Sequence, residues 1–300
     1  MSHRVTVVTG PAYIGLKDNA IQVRLPSGTE NKVPLEDSAL LIVDGLDVTM
    51  SHQLLAKCAQ ENIAVVLCDE KFLPSGLVLP FSGHSVHALT LRQQIAASVP
   101  TRKRVWKEIV RAKLLSQGAC LEATGVPASR FRKLAAEVRS GDPDNMEATG
   151  AAKYFPLVFG ETFVRDRGLP GTNARLNYGY AVIRSAVARA VVGAGLMPAL
   201  GIHHHNQYNH LALVDDAIEP FRAIVDFGVR KHFGLSLSEE DSPLTPSEKR
   251  LLVQLIGCCV MVDGKSTPFL VGLGSYAASL RRAICEGGAL NVPTIDFKSL

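Results

Sequence analysis

A chain of 300 residues with 47% hydrophobic content holds enough apolar material for one large domain or two smaller ones without disulfide staples. Its six cysteines, Cys58, Cys68, Cys120, Cys258, Cys259 and Cys285, form no C-x-x-C pair, which excludes a structural zinc ribbon or disulfide framework and fits a reducing cytoplasm. Net charge is only +4, yet Thr101–Ser140 carries ten Lys/Arg against three Glu, so positive charge is segregated either as a polyanion-binding surface or as a solvated helix face.

The start, Met1-Ser-His-Arg-Val, lacks the charged, apolar and small-residue succession of a secretory leader. Strands are predicted at Val5-Thr-Val-Val, Ala20-Ile-Gln-Val-Arg-Leu, Leu40-Leu-Ile-Val, Ile63-Ala-Val-Val-Leu and Leu77-Val-Leu-Pro-Phe, separated by Gly, Asp, Asn and Pro clusters. Met50, Leu54, Leu55 and Cys58 recur at helical spacing and predict one short helix among them. From about Val86 the period becomes helical, so the chain divides into a β-rich domain over 1–84 and a larger α-helical domain over 85–300, an α+β architecture.

In the second part, helices are predicted from about Arg104 to Gly118 and from Ala128 to Arg139. Another opens with Pro143 as its first helical residue, placing Glu147 one turn in. Leu176, Tyr180, Ile183, Val187 and Val191 form a helical stripe that closes at Gly193 and Gly195. The long apolar stretch Ser185–Ile202 is interrupted by Arg189 and Pro198 and falls short of the roughly 20 apolar residues of a membrane span, so it reads as a core helix. Leu211–Phe233 is helical in pattern, with a kink or restart at Pro220. Leu235–Pro246, rich in Ser, Pro and acids, reads as a mobile loop. Thr245-Pro-Ser-Glu248 is a capping box that opens a helix expected to run through Val262.

Gly201–Arg222 concentrates four imidazoles and three carboxylates. The helical H-E-x-x-H pairing is missing and His205 and His210 stand five apart, which argues against zinc hydrolysis. Mixed carboxylate and imidazole donors suit a harder, six-coordinate ion, Mg²⁺ or Mn²⁺, and hence phosphoryl transfer. No G-x-x-x-x-G-K-[ST] loop occurs, so nucleoside triphosphate hydrolysis is not supported.

Four segments carry a resemblance: Asn145-Met-Glu-Ala-Thr-Gly-Ala-Ala-Lys-Tyr-Phe155, Leu176-Asn-Tyr-Gly-Tyr180, Gly201-Ile-His-His204 with Asn206, and Asp215-Asp-Ala-Ile-Glu-Pro-Phe-Arg222. Together they resemble the CRISPR adaptation integrases, the first-numbered Cas protein, in the form found with single-effector (type II) systems. The resemblance implies that Glu147, His204 and Glu219 are the catalytic metal ligands. It also implies a β-rich domain for dimerisation and partner contact, homodimers, and two dimers bridged by the small dimeric second-numbered Cas protein on double-stranded DNA. The departures are Ala223 in place of a common proline and Thr149-Gly150 after the motif glutamate, where Gly150 is expected to loosen its helix.

The neighbours keep two readings each. His203 and His205 are structural or DNA-facing rather than ligands, since a loop seldom aims three successive imidazoles at one ion. Asp216 either hydrogen-bonds a ligand or is a surface acid, and Arg222 contacts phosphate or pairs with Glu219. Tyr154, Tyr178 and Tyr180 read as core residues. Arg102, Lys103, Arg104, Lys107, Arg111, Arg130, Arg132 and Lys133 are the expected DNA-binding surface. The rival class is a catalytically idle scaffold that holds DNA for a partner nuclease.

Overall fold

The computed structural model describes residues 4–70, 74–81, 83–235 and 244–300. The first part is built from β1 (Arg4–Val8), β2 (Ala12–Lys17), β3 (Ala20–Arg24), β4 (Glu30–Pro34), β5 (Ser38–Val43), β6 (Val48–Met50), α1 (His52–Gln60), β7 (Ala64–Cys68) and β8 (Pro74–Val78). They form two four-stranded sheets, β1-β5-β7-β8 and β4-β3-β2-β6. The predicted strands are present, with the last beginning at Pro74 rather than Leu77. β2, β4 and β6 were not predicted; β2 and β3 are joined by Asp18-Asn19, both at positive φ as a two-residue hairpin turn requires. Ser51 caps α1 by accepting from the Leu54 amide.

β5 is buried along its whole length, because both faces of its sheet are covered. Leu41 and Val43, with Val65 on β7, face Ile14, Ile21 and Val23 of the second sheet and Leu54 and Cys58 of α1. Leu40, Ile42, Ala64 and Val66 point the opposite way, into the core shared with the helices. The strand alternation therefore welds the β-rich and helical regions through a common wall.

The helical region comprises α2 (His87–Ala96), α3 (Val99–Ala123), α4 (Ser129–Glu137), α5 (Met146–Phe159), α6 (Thr172–Gly193), α7 (Ala212–Ala217), α8 (Arg222–Phe233), α9 (Pro246–Gln254) and α10 (Phe269–Cys285). Strands β9 (Cys259–Val262), β10 (Lys265–Pro268) and β11 (Thr294–Asp296) add a small antiparallel sheet, ordered β10-β9-β11. α3 starts five residues before the predicted Arg104, because Ser98 accepts from the Thr101 amide and Pro100 tolerates the first turn. α6 stops at Gly193, so Ser185–Ile202 is a helix end and a turn rather than one core helix. No described helix is long and apolar enough to cross a membrane.

Both halves of the Thr245/Glu248 capping box are made, but α9 ends at Gln254, and Cys259–Val262 is a strand rather than the end of that helix. The reason is local: Asp263 and Gly264 at positive φ close a hairpin to β10, and Val260 packs its side chain into the core. Of the expected mobile loop Leu235–Pro246, residues 236–243 lie outside the described residues.

One buried ion pair ties the two regions together. Lys249 on α9 donates to both oxygens of Asp44, just past β5, at 3.1 Å each, with both side chains almost fully excluded from solvent. Asp44→Ala would leave the ammonium without its carboxylate, so it should lower the unfolding free energy by about 3–5 kcal/mol in urea titrations. A decrease below about 1 kcal/mol would show that the pair does not secure the seam.

Candidate metal and phosphate site

The three residues that the motifs single out come from three separate elements and line one cavity of about 460 Å³. Glu147 is the second residue of α5. The helix begins at Met146, not at Pro143, because Asp142 and Asn145, both at positive φ, supply its caps. Asp142 accepts the Met146 and Glu147 amides at 2.8 and 3.0 Å, and Asn145 accepts that of Ala148 at 3.4 Å. Three of the orphan donors are satisfied, and the Glu147 backbone is fixed. Gly150 does not loosen this helix but lets it press on α3: a β-carbon there would lie 2.2 Å from Leu114 Cδ2. The close approach brings Glu147 Oε1 to 2.7 Å from Lys113 Nζ on α3.

Glu219 heads the 3₁₀ turn Glu219–Phe221 between α7 and α8, where Pro220 imposes the restart expected from sequence. Its side chain is 6% exposed and held from both sides: Arg222 Nε donates to Oε1 at 2.7 Å, and Lys113 Nζ stands 2.5 Å from Oε2. Burial pushes this carboxyl up, but Arg222 and Lys113 outweigh it and hold its pKa at about 2. Burial likewise opposes the Lys113 ammonium, and Glu219 and Glu147 override it to leave the group raised above its ordinary value. Of its two readings, Arg222 is thus the salt-bridge partner of Glu219, with its guanidinium 4.8 Å over the Tyr180 ring.

His204 is aimed by Asp216, which is fully buried rather than a surface acid. The Asp216 carboxylate accepts the amides of Ile202, His203 and His204 at 2.6, 3.0 and 3.3 Å, and His204 Nδ1 lies 2.6 Å from its Oδ1. Gly201 is required by this tight loop, since a β-carbon would sit 2.2 Å from the His204 carbonyl oxygen. The Asp216 hydrogen bond raises the imidazole pKa and commits Nδ1, leaving Nε2 as the donor atom. His203 lies flat on Trp106 of α3, with ring centroids 4.3 Å apart. His205 is exposed and lines a neighbouring cavity of about 570 Å³ together with Arg102, His204 and Tyr208.

The donor set, two carboxylates and an oriented imidazole, fits a hard divalent ion. The ammonium held between the carboxylates shows that this wall favours positive charge. Among the described residues no three imidazole, thiol or carboxylate groups are gathered closely enough to share an ion, and Lys113 is what stands between Glu147 and Glu219.

Lys113, Arg165, Arg167 and Asp226 also line the cavity and were not predicted. Arg165 donates to Asn173 Oδ1 at 2.9 Å and Asn177 Oδ1 at 2.7 Å, and its guanidinium lies 5.5 Å from the Tyr180 ring centroid. The signal was the Asn173/Asn177 pair, spaced one turn apart on α6 beside Leu176-Asn-Tyr-Gly-Tyr180. Tyr154 and Tyr180 are buried, and both donate to Asp226, Tyr154 at 3.0 Å. Tyr178 is buried as well.

In the basic segment, Arg111 pairs with Glu108, Arg132 with Glu122, and Arg104 donates to the Gly287 carbonyl. Lys103, Lys107, Arg130 and Lys133 have no acidic partner among the described residues.

The sequence profile of the family described as CRISPR associated protein Cas1 matches residues 5–156 and 165–238. The chain is also 36% identical to the CRISPR-associated endonuclease Cas1 of Neisseria meningitidis serogroup C, over 98% of this chain and 97% of that protein. It belongs to the Cas1 family. Among solved structures it resembles a casposase bound to integration product, with TM-score 0.79 and 18% identity over 96% of this chain and 92% of that one. It also resembles part of a Cas6-RT-Cas1–Cas2 complex, with TM-score 0.72 and 19% identity over 96% of this chain and 35% of the other. These two likenesses show that the Cas1 fold is present, with its β-rich beginning and larger helical part.

Asp226 offers a test of the electrostatics on this wall. Burial raises its pKa from near 3.8 to about 6 despite the two phenol donors, so the ionised form costs stability at neutral pH. That cost is fully present above about pH 6, shrinks as pH falls from there to 3.8, and vanishes below 3.8, where folded and unfolded chains are both protonated. Asp226→Asn should therefore unfold at higher urea concentration than the parent at pH 7, with the gap closing in that window. A gap independent of pH would assign the titration to another group.

Proposed function

We propose that this chain is a metal-dependent DNA integrase and endonuclease that inserts new spacer DNA into a CRISPR array, with Glu147, His204 and Glu219 holding Mg²⁺ or Mn²⁺. The observation that carries the reading is the single cavity in which these three side chains meet a basic wall of Lys113, Arg165, Arg167 and Arg222. An ion bound there would polarise the phosphodiester and offset charge developing on its oxygens.

The chain's own residues do the rest. Asp216 holds His204 in the tautomer that presents Nε2. Arg165, locked by Asn173 and Asn177, presents a fixed guanidinium for a non-bridging phosphate oxygen. Chemically, the 3′-oxygen of the incoming strand bonds to the array phosphorus while the bond from phosphorus to the array's own 3′-oxygen breaks. One phosphodiester replaces another, so no nucleotide is consumed, which suits a sequence without a nucleotide-binding loop. With water in place of the 3′-hydroxyl, the same site is a nuclease.

The likeness to a Cas1–Cas2 assembly supports a second-numbered Cas protein as partner, bridging two homodimers on double-stranded DNA. In this reading residues 1–84 carry dimerisation and partner contact, residues 85–300 carry catalysis, and the protein works in the cytoplasm.

Two experiments test this. Glu219→Gln keeps size but removes the charge opposing the ion, so strand transfer into an array plasmid should fall by about 10²-fold or more, while duplex binding persists because Lys and Arg on phosphates supply it. Parental integration by this variant under limiting Mg²⁺ would end the proposal, and an idle scaffold would have no parental activity to lose. Reversing Lys103, Lys107, Arg130 and Lys133 should weaken DNA binding and flatten its salt dependence by about 0.9 in log–log slope for each phosphate no longer neutralised. An unchanged slope would return these residues to ordinary solvated surface.

A further inference from the structure

The Lys113 ammonium is placed where few lysines are. Its side chain is 9% exposed, and its nitrogen lies 2.7 Å from Glu147 Oε1 and 2.5 Å from Glu219 Oε2. Arg222 already balances Glu219, so Lys113 is the cation that answers Glu147 and the remaining oxygen of Glu219. An ammonium that donates to Glu147 and stands in ion-pair contact with Glu219 Oε2 crowds the oxygens with which the two carboxylates would bind a divalent ion, and its charge repels that ion at close range. The two cations compete for one niche.

From this, and resting on the reading of Glu147, His204 and Glu219 as ligands, we infer that Lys113 is a tethered cation that keeps the carboxylates assembled without metal and must withdraw before they take it up. The cavity offers places to withdraw to. Gln117, one helical turn further along α3 and lining the same cavity, has a buried Oε1 with no hydrogen-bond partner in the structure. A DNA phosphate brought against Arg165 would be a stronger acceptor. Metal loading and DNA binding are then positively coupled through Lys113: DNA draws the ammonium off the carboxylates and the ion follows. A nuclease site built this way stays poorly loaded until substrate arrives.

The test is Mn²⁺ binding to the full-length protein, followed by electron paramagnetic resonance of the free ion and, independently, by quenching of Trp106, the single tryptophan, which stacks on His203 beside His204. Two neutral replacements of different polarity, Lys113→Met and Lys113→Gln, are titrated after circular dichroism confirms folding, so that misfolding of one leaves the other readable. Without DNA, a folded neutral variant should bind Mn²⁺ about tenfold or more tighter than the parent, whereas Lys113→Arg should not. Adding a short duplex, corrected for ions taken up by the DNA alone, should tighten Mn²⁺ binding by the parent and change it much less in the neutral variant. Equal or weaker Mn²⁺ affinity in the folded neutral variants overturns the inference. Failure of the metal-site reading itself looks different: Glu219→Gln would bind Mn²⁺ as well as the parent, whatever stands at position 113.

Discussion

Two carboxylates cannot share a wall out of bulk water unless positive charge stands between them, because their repulsion grows as the local dielectric falls. In this Cas1 chain that charge is the Lys113 ammonium, assisted by Arg222, and much of the architecture is what it takes to bring it there. α3 must pass under both α5 and the Glu219 turn. It approaches α5 through Gly150, where no side chain fits against Leu114, and Asp142 and Asn145 fix the first turn of α5 so that Glu147 faces inward. Remove the ammonium and the two acids lose the reason to be neighbours, unless another cation replaces it.

The imidazole side of the cavity is organised differently. Among the described residues no cation holds it; a fully buried aspartate does, collecting three consecutive amides and the ring nitrogen of His204. The hydrogen bonds satisfy Asp216, which would otherwise be a costly buried charge, and turn the loop after Gly201 into a rigid mount. The opposite wall depends on α6, whose Asn173, Asn177 and Tyr180 place Arg165, Arg222 and Asp226. α6 in turn rests on β7 and β8, so the fully buried strand β5 and its neighbours support the site from behind.

What could be read from sequence follows from the range of the interactions. Strands β1, β5 and β7 declared themselves by β-branched runs, and the Thr245/Glu248 box by residues three apart. β9 was missed because the apolar Cys258–Val262 stretch continues a helical pattern, and only the Asp263-Gly264 turn marks the change of period. His204 and Glu219 stood out through a dense cluster and a motif. Their supports did not: Lys113 is 34 residues from Glu147, and Tyr154 is 72 from Asp226, separations at which no local pattern reveals a pairing. Asp142 was legible in principle as a cap, but Pro143 offered a competing helix start.

The proposed chemistry stands on Glu147, His204 and Glu219 holding one ion. Anomalous diffraction from crystals of the protein grown with Mn²⁺ tests it directly. A manganese peak is expected at roughly 2.0–2.6 Å from a carboxylate oxygen of Glu147, a carboxylate oxygen of Glu219 and His204 Nε2, with Lys113 Nζ no longer between the acids. A peak elsewhere in the molecule, with Lys113 still bridging Glu147 and Glu219 at saturating manganese, would contradict it.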